Sequence, residues 1–520
     1  MTTMASDSPN EEPTMATFSS APHAEVNAEN INDENGPLAV RALTSGPVGN
    51  QTSHDVRRKV DRFILPALCI TYAILFIGRT LMNYCAVHGL LPDNTLSGKK
   101  YLWTVYMFYI GYLVATIPVL ILIQRTRLAK LLGAGIIGWS ATLMVTAACS
   151  FFETLAFARF SLGLIESMIS PILVAVTGIW WTRQEQDSRL ALWFSFSGVG
   201  GFLGTLWTSG YAQDQIHGGH WKFIVELGAV TVPWGILCLS MMPDCAASFK
   251  WLNENEKVAA IQRVMVNQTG TRSPPFVKAQ LIEAFTDIRV ILLGCISFTN
   301  AMSASGFTFY PLIIEGLGFD LKKAVFLCLP LFVIQVAAQV GSGYLVSHNH
   351  RFRHFRLHFA SLAMVPPMIG AILVNELAPT NRIGRLFGVW LLGTSPVRFM
   401  VVLGMLSTNI AGTTKRSAAA AWVFICYCGG QLLGSQGFFS HQAPAYRSGF
   451  HCLIFFFAFN IFQNQLLRFF YVLENSRRYR AMHGRSAEEL EEMKKQSEIQ
   501  GFEGVTDKNN VSYVMFIYVV

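Results

Sequence analysis

Residues 131–150 read LLGAGIIGWSATLMVTAACS, and none of these twenty side chains is charged. A transmembrane α-helix needs about 20 consecutive, mainly apolar residues to cross the hydrocarbon core of a bilayer. The stretch has that length, and the basic residues Arg127 and Lys130 precede it. It therefore predicts a helix that spans a membrane.

Comparable apolar stretches recur along the chain, six before a polar loop and six after it. The predicted spans are 63–87, 101–123, 131–150, 155–179, 190–212 and 222–242, then 288–313, 323–346, 356–374, 383–406, 417–439 and 449–472. Pro366 and Pro367 interrupt the ninth span. The predicted fold class is an all-α polytopic membrane protein with about twelve transmembrane helices.

The composition supports a membrane protein and argues against a nucleic-acid-binding one. Hydrophobic residues make up 52% of the 520-residue chain and charged residues only 14%, whereas about a quarter of the residues of a soluble domain are charged. The net charge is +8, but the basic residues lie in short clusters between apolar stretches. We therefore predict a lipid bilayer as the surroundings and no nucleic-acid partner.

The basic clusters occupy every second loop, on the side of both termini. They are Arg57, Arg58, Lys59 and Arg62; Arg125, Arg127 and Lys130; Arg183 and Arg189; Arg351, Arg353 and Arg356; Lys415 and Arg416; Arg477, Arg478 and Arg480. Cytosolic loops of membrane proteins carry an excess of Lys and Arg. Both termini are therefore predicted to be cytosolic.

The order of these segments predicts five regions. They are a disordered cytosolic N-terminal tail 1–54, a six-helix half 55–242, a cytosolic central loop 243–286, a second six-helix half 287–473 and a cytosolic C-terminal tail 474–520. Gly200-Gly201 and Gly429-Gly430 lie at equivalent places in the two halves. Such a repeat is expected of a transporter built from two parallel halves.

The C-terminal tail holds two further features. Ser486 and Glu489 begin a charged stretch, 486–496, with the spacing of a capping box, so we predict a short helix there. Residues 511–520 are apolar but too short to span a membrane. Two interpretations stay open: they dock on the body of the protein, or they reflect a wrong gene model.

Ionisable side chains inside a bilayer are costly and therefore mark candidate functional sites. Arg79, with Asn83 one turn further along the first span, and Arg398, two residues after Pro396 in the tenth, are predicted to bind substrate. A guanidinium group suits an anionic substrate because it pairs with a carboxylate through two parallel hydrogen bonds. The alternative for Arg79 is a salt bridge between helices or a position at the outer surface.

The acidic candidates are predicted to couple transport to protons or to form buried ion pairs. Glu166 falls near the middle of the fourth span, seven residues after Arg159 and on the same helix face. A desolvated carboxyl group at this depth could exchange a proton near neutral pH. Glu226, in the sixth span, lies close to the outer interface, where a structural pair is the more natural interpretation.

No cofactor or metal site is predicted. The sequence contains no phosphate-binding loop, dinucleotide fingerprint or hydrolase elbow, and no pair of cysteines has the spacing of a zinc site. An enzyme is therefore not expected. Transport would use an ion gradient, with a proton gradient as the favoured energy source, or facilitated diffusion.

Six motifs between Arg57 and Arg480 are distinctive. They are RRKVDRFILP (57–66), RFSLGLIE (159–166), WKFIVELG (221–228), FKWLNENEK (249–257), NIAGTTKR (409–416) and QAPAYRSGF (442–450). Together they resemble the fungal allantoate permease family, also called anion:cation symporters, of the major facilitator superfamily. The resemblance implies twelve helices around a central cavity, alternating access, a small organic anion as substrate, proton coupling and a plasma-membrane location.

The sequence also departs from the family pattern. Gly78 stands where the family usually has an aspartate, and Thr116 stands where it often has an acid before the proline of the second span. Lys222 and Thr413 replace an arginine and a histidine. These departures leave Glu166 as the best remaining proton site.

Three functional hypotheses follow. The first is a proton-coupled importer of a small organic anion such as a ureide, a vitamin or a related carboxylate. The second is an exporter or intracellular shuttle of a secondary metabolite, and the third is a nutrient sensor with a transporter fold. A monomer is expected.

Overall fold

The computed structural model of the protein describes residues 49–87, 99–149, 151–211, 222–265, 277–305, 310–348, 355–434, 447–502 and 505–508, and the single positions 38, 41, 436 and 518. In these residues eleven helical segments are long and apolar enough to cross a membrane. The shorter apolar helix Ile288–Ala304 stands at the seventh predicted place. The predicted all-α polytopic fold class is confirmed.

The helices of the first half follow the predicted spans closely. They are α1 (Asn50–Val87), α2 (Lys99–Arg125), α3 (Leu128–Ala147), α4 (Phe152–Trp180), α5 (Arg183–Tyr211) and α6 (Lys222–Met241). Two short helices of the central loop follow, α7 (Glu254–Met265) and α8 (Lys278–Thr286). Helix α1 begins at Asn50, within the last residues of the predicted tail.

The helices of the second half are more often broken. They are α9 (Ile288–Ala304), α10 (Tyr310–Gly316), α11 (Leu321–Leu327), α12 (Leu329–His348), α13 (Arg356–Leu362), α14 (Val365–Glu376), α15 (Arg382–Leu391), a 3-10 turn (Leu392–Thr394), α16 (Val397–Thr408), α17 (Thr413–Gly434), α18 (Arg447–Met482) and α19 (Ala487–Phe502).

The breaks in the second half lie mostly at prolines. Pro366 occupies the first turn of α14, where its missing N–H group costs no helical hydrogen bond, so the predicted span 356–374 forms two helices. Pro396 directly precedes α16 in the same way. Helix α9 ends at Ala304 rather than near residue 313 as predicted. Helices α1 and α18 extend beyond their predicted spans, from Asn50 and to Met482, because a helix can continue past the apolar span.

The two halves have equivalent internal packing. In the first half α1 packs against α5, α2 against α4 and α3 against α6, and in the second half α9 packs against α17, α12 against α15 and α14 against α18. The close approach of α2 and α4 requires glycine, because a Cβ atom at Gly163 would lie 2.0 Å from the carbonyl oxygen of Phe108. The halves meet where α5 contacts α12 and α2 contacts α17.

The predicted capping box in the C-terminal tail is confirmed. The backbone N–H of Glu489 donates to Ser486 Oγ at 3.2 Å, and the backbone N–H of Ser486 donates to Glu489 Oε2 at 3.3 Å. These bonds satisfy amides that an isolated helix start leaves unpaired. The charged helix α19 therefore begins where the sequence predicted.

The apolar C-terminal stretch contributes one described residue, and it docks on the body. Tyr518 is 1% exposed, and its hydroxyl accepts a hydrogen bond from Arg478 Nη2 at 2.8 Å. Its backbone N–H and C=O pair with the side-chain amide of Asn475 at 3.0 and 2.9 Å. Nearby, Asp507 accepts a hydrogen bond from Lys415 Nζ at 2.6 Å. Burial, and then the charge of Asp507, raise the pKa of the Tyr518 hydroxyl.

Candidate functional site

A cavity of about 220 Å³ lies between the two halves. Residues of α1, α2 and α5 form its wall on one side, and residues of α9, α12, α16 and α17 form the facing wall. Arg79 is the one charged side chain among the described residues that line it. Ligands of membrane transporters bind near the middle of the bilayer between repeats, so this cavity is the candidate substrate site.

Arg79 forms an ion pair with Glu166 at the wall of this cavity. Its Nε donates to Glu166 Oε1 at 2.8 Å, and Nη2 donates to the same oxygen. The guanidinium group also lies over the ring of Phe76, 4.9 Å from the ring centre. The Arg79 side chain is 26% exposed, whereas that of Glu166 is 2% exposed. The cation therefore faces the cavity, and the carboxylate lies behind it.

Trp139 supplies a third hydrogen bond to Glu166, and sequence reasoning missed it. Its Nε1 donates to Glu166 Oε2 at 2.9 Å, from a ring that is 1% exposed. A Cβ atom at Gly78 would lie 2.7 Å from this ring. Glycine at the position of the usual family aspartate thus provides the space for Trp139. A single tryptophan in the charge-free stretch 131–150 was the available signal.

The second missing acid has a local explanation. Thr116 is 2% exposed, and its hydroxyl donates to the carbonyl oxygen of Tyr112 on the same helix at 2.8 Å. Such bonding to the preceding turn satisfies a buried hydroxyl without any partner on another helix. Thr116 therefore contributes to packing, and Glu166 is the carboxyl group that the structure places next to the cavity.

Arg398 is completely buried and does not line the cavity in this conformation. Its guanidinium group donates to Asn464 Oδ1 at 3.0 Å, to Gln463 Oε1 at 3.1 Å and to Thr299 Oγ1 at 3.4 Å. All three acceptors are neutral. Its chain neighbours Pro396 and Phe399 do line the cavity, so the charge lies just behind the wall of the second half.

The other predicted site residues lie elsewhere. Arg159 is buried on α4 and Glu226 is half-buried near the start of α6, and neither is among the described residues that line the cavity. Asn83 is in α1, but its side chain lies outside the described residues. In the described part of the chain, no group of three or more His, Cys, Asp and Glu side chains could hold a metal ion.

The halves are joined at the end of the bundle that carries the basic clusters, here called the basic end. Arg356, at the start of α13, forms an ion pair with Asp187 near the start of α5. Ser407 on α16 donates to Gln186 Oε1 at 2.8 Å, and Gln124 on α2 donates to Ser417 on α17. These contacts close the space between the halves on the side of the cavity that faces the basic end.

The sequence and the fold match those of known transporters. Residues 68–435 match the Major Facilitator Superfamily. The chain is 34% identical to the uncharacterized transporter C460.05 of Schizosaccharomyces pombe, over 83% of this chain and 81% of that protein. It is 28% identical to the allantoate permease of Saccharomyces cerevisiae, over 86% of this chain and 84% of the permease.

A solved structure shows the same fold at low sequence identity. FucP, a Major Facilitator Superfamily transporter in the outward conformation, aligns with a TM-score of 0.56, covering 78% of this chain and 98% of FucP, at 12% identity. These relatives are transporters and not enzymes, in agreement with the sequence prediction. The chain belongs to the Major Facilitator Superfamily, and an allantoate permease is among the relatives that it resembles.

Proposed function

We propose that this chain is a secondary active transporter that imports a small organic anion together with a proton, by alternating access. The observation that carries the proposal is the Arg79–Glu166 ion pair, whose cation faces the cavity. A relative named as an allantoate permease supports an organic anion as the substrate. In this proposal the protein lies in the plasma membrane with its basic end facing the cytosol, as the distribution of Lys and Arg indicates.

The ion pair provides a mechanism for coupling. When Glu166 takes up a proton, its attraction for Arg79 is lost, and the guanidinium group becomes free to bind a substrate carboxylate. Loss of the proton restores the ion pair, which competes with the substrate for Arg79. Proton and anion therefore bind together and leave together. The net charge around Arg79 is the same with both ligands bound as with neither.

Arg398 contributes an electrostatic potential in this mechanism. Its hydrogen-bond partners are neutral, so its charge is not cancelled locally, and in a medium of low dielectric constant that charge acts over several ångströms. We assign it the role of attracting the anion toward the second half rather than of touching it in this conformation. Arg159 and Glu226 remain candidates for coupling or structural pairing.

The closed basic end leads to a prediction about alternating access. Replacing Asp187 by asparagine weakens the ion pair with Arg356 that joins the halves, so a smaller fraction of molecules keeps the basic end closed. The apparent affinity for a substrate that enters from the opposite side falls in proportion to that fraction. A loss of about 1.4 kcal/mol lowers the ratio of closed to open molecules about tenfold, so the KM for uptake is expected to rise by up to the same factor.

A matched control exists at the same end of the bundle. Asp61 pairs with Arg189 at 2.6 Å, but both residues belong to the first half. Asp61→Asn therefore removes an ion pair of the basic end without separating the halves, and its KM should change less than threefold. Equal increases of KM in the two variants would mean that the Asp187–Arg356 pair has no special role in closing the cavity.

The proposed function is tested by uptake of labelled organic anions into cells that lack their own permeases, at two external pH values, against an empty-vector control. Saturable uptake that rises at acid pH is the expected result. Absence of uptake for the whole panel, with the protein demonstrated at the cell surface, would contradict import. It would favour the hypothesis of an exporter instead.

A further inference from the structure

The wall of the cavity is unusually rich in aromatic side chains. Ten of its 25 described lining residues are Phe or Tyr, and they come from both halves. Ligand sites generally combine an apolar wall with a few polar groups that fix the orientation of the ligand. The distribution of rings and polar groups in this cavity therefore contains information about the substrate.

Six of these rings form a continuous belt across the two halves, here called the aromatic belt. Its members are Tyr72, Tyr112, Phe194, Phe399, Phe424 and Tyr427. Phe399 is the centre of the belt: its ring lies 6.0 Å from Phe194 of the first half and 4.9 Å from Tyr427 of the second. Phe424 of the second half also contacts Tyr112 of the first half, with ring centres 6.3 Å apart, so the belt joins the halves at a second point.

Several polar groups of the wall are engaged with the protein itself. Three hydroxyl groups donate to carbonyl oxygens of their own helices at 2.7–2.9 Å: those of Thr80, Thr205 and Thr208. The amide of Gln335 donates to Ser197 at 2.9 Å, and that of Gln431 donates to Tyr427 at 3.2 Å. A ligand with many carbonyl and amide groups would leave several of them without partners, which is costly in a desolvated site.

We propose that the substrate is an aromatic or heteroaromatic carboxylate, with its carboxylate on Arg79 and its ring against the aromatic belt at Phe399. This assignment rests on the proposed function, because it uses Arg79 as the anion site. A flat ring gains from the faces and edges of neighbouring aromatic rings beyond its burial. A single carboxylate matches the single charged side chain among the described residues that line the cavity.

Paired probes test this assignment on the full chain, purified in lipid nanodiscs. Binding of benzoate is compared with that of cyclohexanecarboxylate, which keeps the carboxylate and the six-membered ring but lacks aromatic faces. Allantoate serves as the ureide probe. Benzoate is expected to bind about tenfold more tightly than either, as two ring contacts of ordinary strength provide.

Two variants locate the preference. Phe399→Leu keeps an apolar side chain but removes the central ring. The ratio of the affinity for benzoate to the affinity for cyclohexanecarboxylate should then fall to about one. Phe387→Leu, on α15 of the same predicted span, is the control: its ring is 50% exposed and it does not line the cavity. In Phe387→Leu the ratio of the two affinities should remain that of the unchanged protein. Phe424→Leu replaces Phe399→Leu if that variant does not fold.

The outcomes separate this inference from the function on which it rests. Equal affinity for benzoate and cyclohexanecarboxylate, or tighter binding of allantoate, would overturn the aromatic assignment and leave anion transport standing. A preference for benzoate that survives in Phe399→Leu and Phe424→Leu would also overturn it. Binding of none of the three anions would count against the proposed function itself.

Discussion

Replacement of Arg79 by alanine is expected to reduce saturable uptake of organic anions by about 100-fold or more. The guanidinium group is the charged side chain that faces the cavity, and hydrogen bonds to charged groups contribute about 1.5–3 kcal/mol each. Initial rates of uptake, measured at equal amounts of surface protein, check the prediction. Thr80→Ala is the matched control, because the Thr80 hydroxyl bonds to its own helix.

A second variant separates loss of binding from loss of folding. Arg79→Ala leaves Glu166 buried without its cationic partner, and an unpaired buried charge is strongly destabilising. Arg79→Ala with Glu166→Gln removes both charges, so it should reach the cell surface and still fail to transport. Uptake at the rate of the unchanged protein in either variant would remove Arg79 from the substrate site.

Replacement of Glu166 by glutamine is expected to abolish accumulation driven by a pH gradient while exchange across the membrane continues. A neutral amide cannot cycle a proton, but its oxygen can still accept the hydrogen bond from Trp139. With one proton per anion, accumulation in the unchanged protein should rise about tenfold for each pH unit of the gradient. In Glu166→Gln the ratio of internal to external substrate should fall to about one.

Proteoliposomes with an imposed pH gradient measure accumulation, and preloading them with unlabelled substrate measures exchange. Glu153→Gln, an exposed acid in the first turn of the same helix, is the control and should accumulate substrate normally. If Glu166→Gln also accumulates substrate in proportion to the pH gradient, the proton is carried by another group. Arg79 would then be paired with Glu166 for structural reasons only.

The helices were predictable from the sequence because each span is decided by its own twenty or so residues. For the ion pair, the two residues could be predicted from the sequence but their contact with each other could not. Arg79 and Glu166 were each recognised as costly charges inside the bilayer, with an ion pair as one alternative for each. Their pairing depends on how the packed bundle places α1 near α4, between residues 87 positions apart in the chain.

Arg398 illustrates a different limit. The sequence places Arg398 within the tenth predicted span, but the direction of its side chain is set by amide groups on α18, Gln463 and Asn464. They belong to a run of three amides, Gln463–Gln465, within a mainly apolar span, and this run was a visible signal of such a partner. The position of Trp139 could not be inferred in this way, because it requires the space above Gly78 that only the packed helices create.

The docking of Tyr518 has a practical consequence for reporter design. A fluorescent protein or affinity tag fused after Val520 would be separated by only two residues from Tyr518, which is 1% exposed and hydrogen-bonded to Arg478 and Asn475. Such a fusion risks displacing the segment and altering expression yields for reasons unrelated to transport. Reporters placed at the N-terminal end avoid that contact and suit trafficking measurements on every variant described above.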